Sequence, residues 1–248
     1  MNFLSLFKRK ILYNLKKKIN IDNDNVNLKS LDDFFHFYGS DKANIFKKKN
    51  TKGHGFSKFY SHYLEKFKNK HIRILEIGSF AGASAAALSK YLKETKIFCF
   101  DINISNFIYS SKNIYVFGLD VNDQKSVQKN LKKIKDLTKL DTFDIIIDDG
   151  SHNLSDILNN LKTFFKLVKK GGLYIIEDYK HPNYYQYNNN VNDILIDQLI
   201  SNIQRKNFFN SEIINKSDQI FLINNIKIIN THRGNLKDSD ICFIEKAT

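Results

Sequence analysis

The sequence predicts an α/β fold: a doubly wound, mostly parallel sheet of seven strands, preceded by a helical extension. Two observations predict it. Apolar, β-rich runs at 72–77, 96–101, 113–118, 143–149 and 172–177 alternate with helix-like segments at 82–93, 123–138 and 154–169. Repeated β-α-β units imply a parallel sheet with helices on both faces. The tail then changes character. IFLINN, IKIIN and DICFIEK follow one another over short connections, which suits antiparallel strands at one sheet edge. A chain of 248 residues is long enough to bury a sizeable core.

A formal charge of +13 first suggests nucleic acid, but its distribution argues otherwise. Residues 1–70 hold 16 Lys and Arg against 6 Asp and Glu, whereas residues 71–248 hold 23 against 20. The region expected to carry the chemistry is thus close to neutral, where a nucleic-acid enzyme would show a basic stripe. Cys99 and Cys242 each sit in an apolar strand-like run and read as buried thiols, which fits a reducing compartment. No apolar h-region follows the start of the sequence, and no run reaches the length of a membrane span. A cytoplasmic location is expected.

Residues 1–20 read as a basic amphipathic helix. Leu4, Phe7, Ile11, Leu15 and Ile19 recur at helical spacing between Lys8, Arg9, Lys10, Lys16, Lys17 and Lys18. The stripe is expected to pack on the body or on a second subunit of a homo-oligomer. The other reading is peripheral contact with an anionic membrane at its inner face. Residues 21–60 read as a polar connector holding YGSDKA and GHGFSKFY, with FKKKN between them as a mobile loop, and 58–68 as a helix.

ILEIGSFAGASAAAL is the most informative stretch. A strand ends near Glu76, the backbone turns through Gly78, Ser79, Phe80, Ala81 and Gly82, and a helix opens near Ala83. Glycines permit the tight turn, and the helix start offers N–H groups to an anion. The G-x-x-x-G spacing lacks the dinucleotide fingerprint, which disfavours a nicotinamide dehydrogenase. The second strand ends in Asp101, placed to bind both hydroxyls of a ribose. The third run leads to Asp120, which could meet a purine. Three strands ending in Glu76, Asp101 and Asp120 suit a nucleoside-bearing ligand.

DIIIDDGSH delivers Asp148 and Asp149 to the same edge, with His152 three residues on, and LYIIEDY ends in Glu177 and Asp178. Adjacent acids repel unless a cation, an amine or a proton compensates. Hard oxygen ligands around an open site suit Mg²⁺, Mn²⁺ or Ca²⁺, and a single imidazole disfavours zinc. Such a metal can grip vicinal hydroxyls, and His152 is suited to be the general base. The competing reading is that Asp149 and His152 cap the following helix at NLSDIL.

The order YGSDK, HGFSKFY, LEIGSFAG, FDI, DIIIDDGSH and YIIED resembles the metal-dependent sugar O-methyltransferases of the macrocin and mycinamicin type, a group that includes proteins called cephalosporin hydroxylases. The resemblance covers residues 36–180. It implies a Rossmann-like class I methyltransferase fold, with residues 1–35 as helix and connector and 36–248 as the methyltransferase domain. It implies S-adenosylmethionine as cofactor and Mg²⁺ as the metal. Asp149 and Asp178 would bind that metal, with Glu177 as a further ligand, and His152 would be the catalytic base beside Asp149. Glu76, Gly78, Ser79, Gly82, Ser84, Asp101, Ile102, Asp120 and Asp148 would bind the cofactor, joined by Tyr38 and Lys42 from the preceding segment. His54, Tyr60, Tyr179 and His181 are candidates for the acceptor side. The run 181–235, rich in Asn and Tyr, matches no pattern in the group. The expected acceptor is a sugar hydroxyl, free or on a nucleotide-linked or surface-glycan precursor such as that of a capsular polysaccharide.

Two other functions compete: methyl transfer to RNA or another small acceptor, and a cofactor-binding module without catalysis. The charge distribution disfavours the first, so no nucleic-acid partner is expected. His152 and both acid pairs disfavour the second. Since every candidate residue lies from Tyr38 onward, removal of residues 1–20 is expected to leave turnover intact.

Overall fold

A computed structural model describes residues 3–184 and 191–248. Residues 1–2 of the expected helix and 185–190 of the Asn- and Tyr-rich run lie outside the described residues. The chain divides into two compact units, residues 1–140 with 234–237, and residues 141–233 with 238–248. The main sheet has seven strands, three in the first unit and four in the second.

In the first unit, β1 (Ile72–Ile77) pairs in parallel with β2 (Thr95–Asp101), and β2 with β3 (Ile114–Gly118). Every residue of β1 is buried, Arg73 and Glu76 along with its four apolar residues. The helices of this unit are α1 (Phe3–Leu15), α2 (Leu31–Tyr38), α3 (Ser57–Leu64), α4 (Ala83–Tyr91) and α5 (Gln124–Thr138). α5 starts where Asp123 accepts from the N–H groups of Lys125 and Ser126, a side-chain cap readable in the sequence.

The segment 21–60 is more than a connector. α2 opens with a capping box in which Ser30 and Asp33 exchange bonds, and it closes on Gly39 in the left-handed conformation. Its Leu31, Phe34, Phe35 and Tyr38 are core residues. FKKKN belongs to a short antiparallel hairpin, Ile45–Phe46 against Thr51–Lys52, with 47–50 as its turn, rather than to a free loop.

α1 docks differently from expectation. Leu4, Phe7, Ile11 and Leu15 are exposed, while Leu6, Arg9 and Tyr13 turn inward. Arg9 donates to the carbonyl of Ile102 (2.8 Å) and Lys16 to that of Ser105 (2.6 Å). The Tyr13 ring packs edge-on to Phe107. Ile19–Asn20 then pair in parallel with Tyr109–Ser110. Polar anchors on the opposite face hold this helix, so the apolar stripe does not pack on this unit as expected.

In the second unit, β4 (Phe143–Asp148) and β5 (Val168–Glu177) are parallel, and β7 (Asp240–Lys246) runs antiparallel between β5 and β6 (Ile226–Arg233). α6 (Leu154–Phe164), the single turn α7 (His181–Tyr184), α8 (Ile196–Gln204) and α9 (Lys216–Asn225) complete it. The antiparallel edge agrees with expectation, except that IFLINN is the end of α9 and not a strand. Asn215 caps that helix by accepting from the N–H of Asp218, and the Asn225 amide bonds back to the carbonyl of Phe221. These local bonds outweigh the β-leaning Ile-Phe-Leu-Ile run. Cys99 and Cys242 are buried free thiols.

Candidate active site

In the first unit the turn after β1 is built by backbone conformation. Gly78 and Gly82 have φ of 83° and 78°, and Phe80 adopts 45°. Glycine tolerates this region and phenylalanine does so at a cost, so Phe80 marks strain in the turn. The N–H of Gly78 bonds to the carbonyl of Phe100, and that of Gly82 to Ser79, which is itself buried. An added Cβ at Gly82 would meet the ring of Phe107 at 2.4 Å, so the turn and this ring are fitted to each other.

Glu76 is fully buried, and Ser84 at the start of α4 donates to its carboxylate. Asp101 closes β2 and accepts from the backbone N–H groups of Phe80 (2.7 Å) and Asn103. Burial raises its carboxyl above the ordinary value, against the pull of those two donors. Ile102 is exposed and its carbonyl takes the Arg9 bond. Asp120, two residues past β3, is half-buried and accepts from the N–H of Asn122.

The segment before β1 places its candidates in a core. Tyr38 is buried; its hydroxyl donates to Asp24 (3.1 Å) and its carbonyl accepts from Tyr109 (2.6 Å). Lys42 is buried, with its carbonyl accepting from the N–H groups of Phe56 and Ser57. Tyr60 is wholly buried edge-on to Phe35. His54 is half-buried over Phe56, and its backbone is tied to Asp41 and Asn235.

In the second unit β4 delivers Asp148 and Asp149 to different surroundings. Asp148 is buried and accepts from Asn160 of α6 (3.1 Å) and the hydroxyl of Tyr174 (3.3 Å). Desolvation pushes its carboxyl up to about 7, with those hydrogen bonds opposing. Asp149 is half-buried and stands in a cluster with His152 and Asp178, whose ligating atoms all lie within 4.8 Å of one another. Nε2 of His152 is 3.6 Å from Asp149 Oδ1 and 4.0 Å from Asp178 Oδ2. His152 and Asp178 have φ of 58° and 50°, so two of the three sit in the strained left-handed region. Such strain concentrates at functional sites.

Asn153 is the N-cap residue of α6 and its side chain makes no cap bond; Ser151, not His152, bonds to Asp156 and receives the N–H of Asn153. Glu177 is buried at the end of β5, opposite Ile241, and lies outside the cluster of three. Tyr179 is buried, its N–H on the carbonyl of Asp240. The ring of His181 is 5.3 Å from that of His152. Burial first, and the neighbouring imidazole second, lower the pKa of His181. The two carboxylates suit a hard divalent cation, and the imidazole stands beside them.

Sequence reasoning missed Asn160, Tyr174 and Phe107. Asn160 had a signal: a polar residue on the buried face of α6, among Ile157, Leu158 and Leu161. Tyr174 and Phe107 read as ordinary core aromatics.

A family model described as a methyltransferase domain matches residues 75–179. The matched stretch takes in the glycine turn, Asp101, Asp120 and the whole acid–imidazole cluster, and leaves out Tyr38, Lys42, His54, Tyr60 and His181. Over 132 residues the chain is 27% identical to the mycinamicin VI 2''-O-methyltransferase of Micromonospora griseorubida, covering 50% of this chain and 31% of that one. It is 28% identical over 132 residues to the demethylmacrocin O-methyltransferase of Streptomyces fradiae, covering 50% and 32%. The structure of the MycE methyltransferase of mycinamycin biosynthesis, in complex with Mg and SAH, superposes with a TM-score of 0.67 at 20% identity, covering 88% of this chain and 54% of that one. The chain therefore shares the fold of that solved structure, a mostly parallel seven-stranded sheet of the class I type. The chain spans about half of that solved protein, and the alignments span about a third of the curated relatives.

Proposed function

We propose that this chain is an S-adenosylmethionine-dependent O-methyltransferase acting on a sugar hydroxyl with the help of a divalent metal. The observation that carries the proposal is the cluster of Asp149, His152 and Asp178, two of them held at positive φ. The names of the relatives support it: they are O-methyltransferases, one of them named for a rhamnosyl-bearing substrate, and the MycE structure holds Mg and SAH.

In this reading Glu76, Asp101, Asp120 and the turn from Gly78 to Gly82 bind the cofactor, with Ser84 orienting Glu76. Asp149 and Asp178 hold the metal, with Glu177 behind them. When bound, a divalent cation supplies orientation of two acceptor oxygens and eases loss of a hydroxyl proton. His152 accepts that proton at Nε2, the atom facing both carboxylates. The acceptor oxygen forms its bond to the methyl carbon as the carbon–sulfur bond breaks, and the electron pair stays on sulfur as a neutral thioether. His54, Tyr179 and His181 are assigned to the acceptor side.

The acceptor sugar is carried by a nucleotide-linked or surface-glycan precursor. A glycoside like the rhamnosyl tetracenomycin in one relative's name is the second reading, favoured by that name. A mass-shift assay with labelled cofactor, run against nucleotide sugars, glycan precursors and macrolide glycosides, separates the two. Activity vanishing in EDTA and returning with Mg²⁺ is the expected result. Full turnover by protein shown to be metal-free would overturn the metal's part.

A further inference from the structure

The orientation of α1 has a chemical consequence. Arg9, Tyr13 and Lys16 tie one side of the helix to the segment 102–107. The other side presents Leu4, Phe7, Ile11 and Leu15, which are 69%, 55%, 43% and 78% exposed. Their spacing of three, four and four residues makes them one continuous stripe. Four large apolar side chains facing water in a row are costly, and such a patch marks a docking surface.

The charge around the stripe selects its occupant. Residues 1–20 contain six Lys and Arg and no Asp or Glu. Lys8, Lys10 and Lys17 are exposed. A second copy mating stripe to stripe would bring two such basic segments together with no acid in either to compensate. An anionic lipid surface offers both partners at once, acyl chains for the stripe and headgroup charge for the lysines. No helix among the described residues is long and apolar enough to cross a membrane, so α1 would lie on the surface.

We propose that α1 docks the protein on an anionic membrane surface through Leu4, Phe7, Ile11 and Leu15, with Lys8, Lys10 and Lys17 engaging lipid headgroups. The proposal is independent of the methyl-transfer reading. The test is flotation of the full chain with vesicles of phosphatidylcholine alone, and with vesicles in which about a third of the lipid is phosphatidylglycerol. Binding is expected only to the anionic vesicles, and it should weaken with added salt. The triple variant F7S/I11S/L15S should lose binding by about tenfold or more, and K8Q/K10Q/K17Q should lose it as well. These side chains are exposed, so both variants should melt at the parent's temperature; should the triple variant unfold, the single variants F7S and L15S are read instead. Equal binding to both vesicles, no binding, or unchanged binding by the variants would overturn the proposal. So would concentration-dependent association in the ultracentrifuge that F7S/I11S/L15S abolishes while no vesicle binding is seen, since that would give the stripe to a second copy.

Discussion

The backbone N–H of Phe80 donates to the carboxylate of Asp101 at 2.7 Å, so the strained turn after β1 and the acid closing β2 hold each other in place. Asp101 is thereby a structural residue as well as a cofactor candidate. Asp101→Ala should weaken S-adenosylmethionine binding by about 1–3 kcal/mol, through lost ribose bonds and a loosened turn. Calorimetry checks this, and unchanged affinity would remove Asp101 from the cofactor site.

Gly82→Ala should destabilise the protein by about 1–3 kcal/mol, because it combines a positive φ with a Cβ driven into Phe107. Adding Phe107→Leu should recover only the steric part. Urea unfolding measures both; a Gly82→Ala protein as stable as the parent would refute the close fit.

Asp148 predicts a pH dependence. Its carboxyl is raised from 3.8 to about 7 in the folded protein, so between those values the folded state binds more protons here than the unfolded chain. Stability therefore falls as pH rises through that window. Asp148→Asn should flatten this fall. Unfolding at pH 5 and pH 8 in excess chelator should show a smaller difference for the variant, and equal differences would assign the slope to other groups.

His152→Ala should cut turnover by roughly 10²–10⁴-fold, the usual contribution of a placed base. S-adenosylmethionine affinity should stay nearly unchanged, because in the proposed mechanism the imidazole serves the acceptor. Single-turnover kinetics alongside cofactor titration separates the two effects. A parallel loss of cofactor affinity would place His152 elsewhere in the mechanism.

Removing residues 1–20 should lower the melting temperature and weaken cofactor binding. The deletion takes away the pairing with Tyr109–Ser110 and the Tyr13 contact on Phe107, the ring beneath the glycine turn. This replaces the expectation, drawn from residue positions alone, that the segment is dispensable. A truncated protein with the parent's melting curve and affinity would restore that expectation.

Local pattern was enough to read the strands of the main sheet. The runs at 72–77 and 143–149 became β1 and β4 almost to the residue, because a buried parallel strand needs a mostly apolar stretch, which Arg73, Glu76 and Asp144 punctuate here without ending, and a polar stop. The same stops put Asp101, Asp149 and Asp178 at strand ends, which is why the candidate site was legible. Side-chain direction was not, because it depends on what packs against each helix. The apolar stripe of α1 was plain in the sequence, yet backbone carbonyls at 102 and 105 drew Arg9 and Lys16 inward and turned the stripe outward. IFLINN has strand-forming residues, but Asn215 capped it into a helix. Asp148 and Asp149 are adjacent and chemically identical. Asn160 and Tyr174, brought to Asp148 from α6 and β5, bury one acid and leave its neighbour to His152, a distinction that only folding creates.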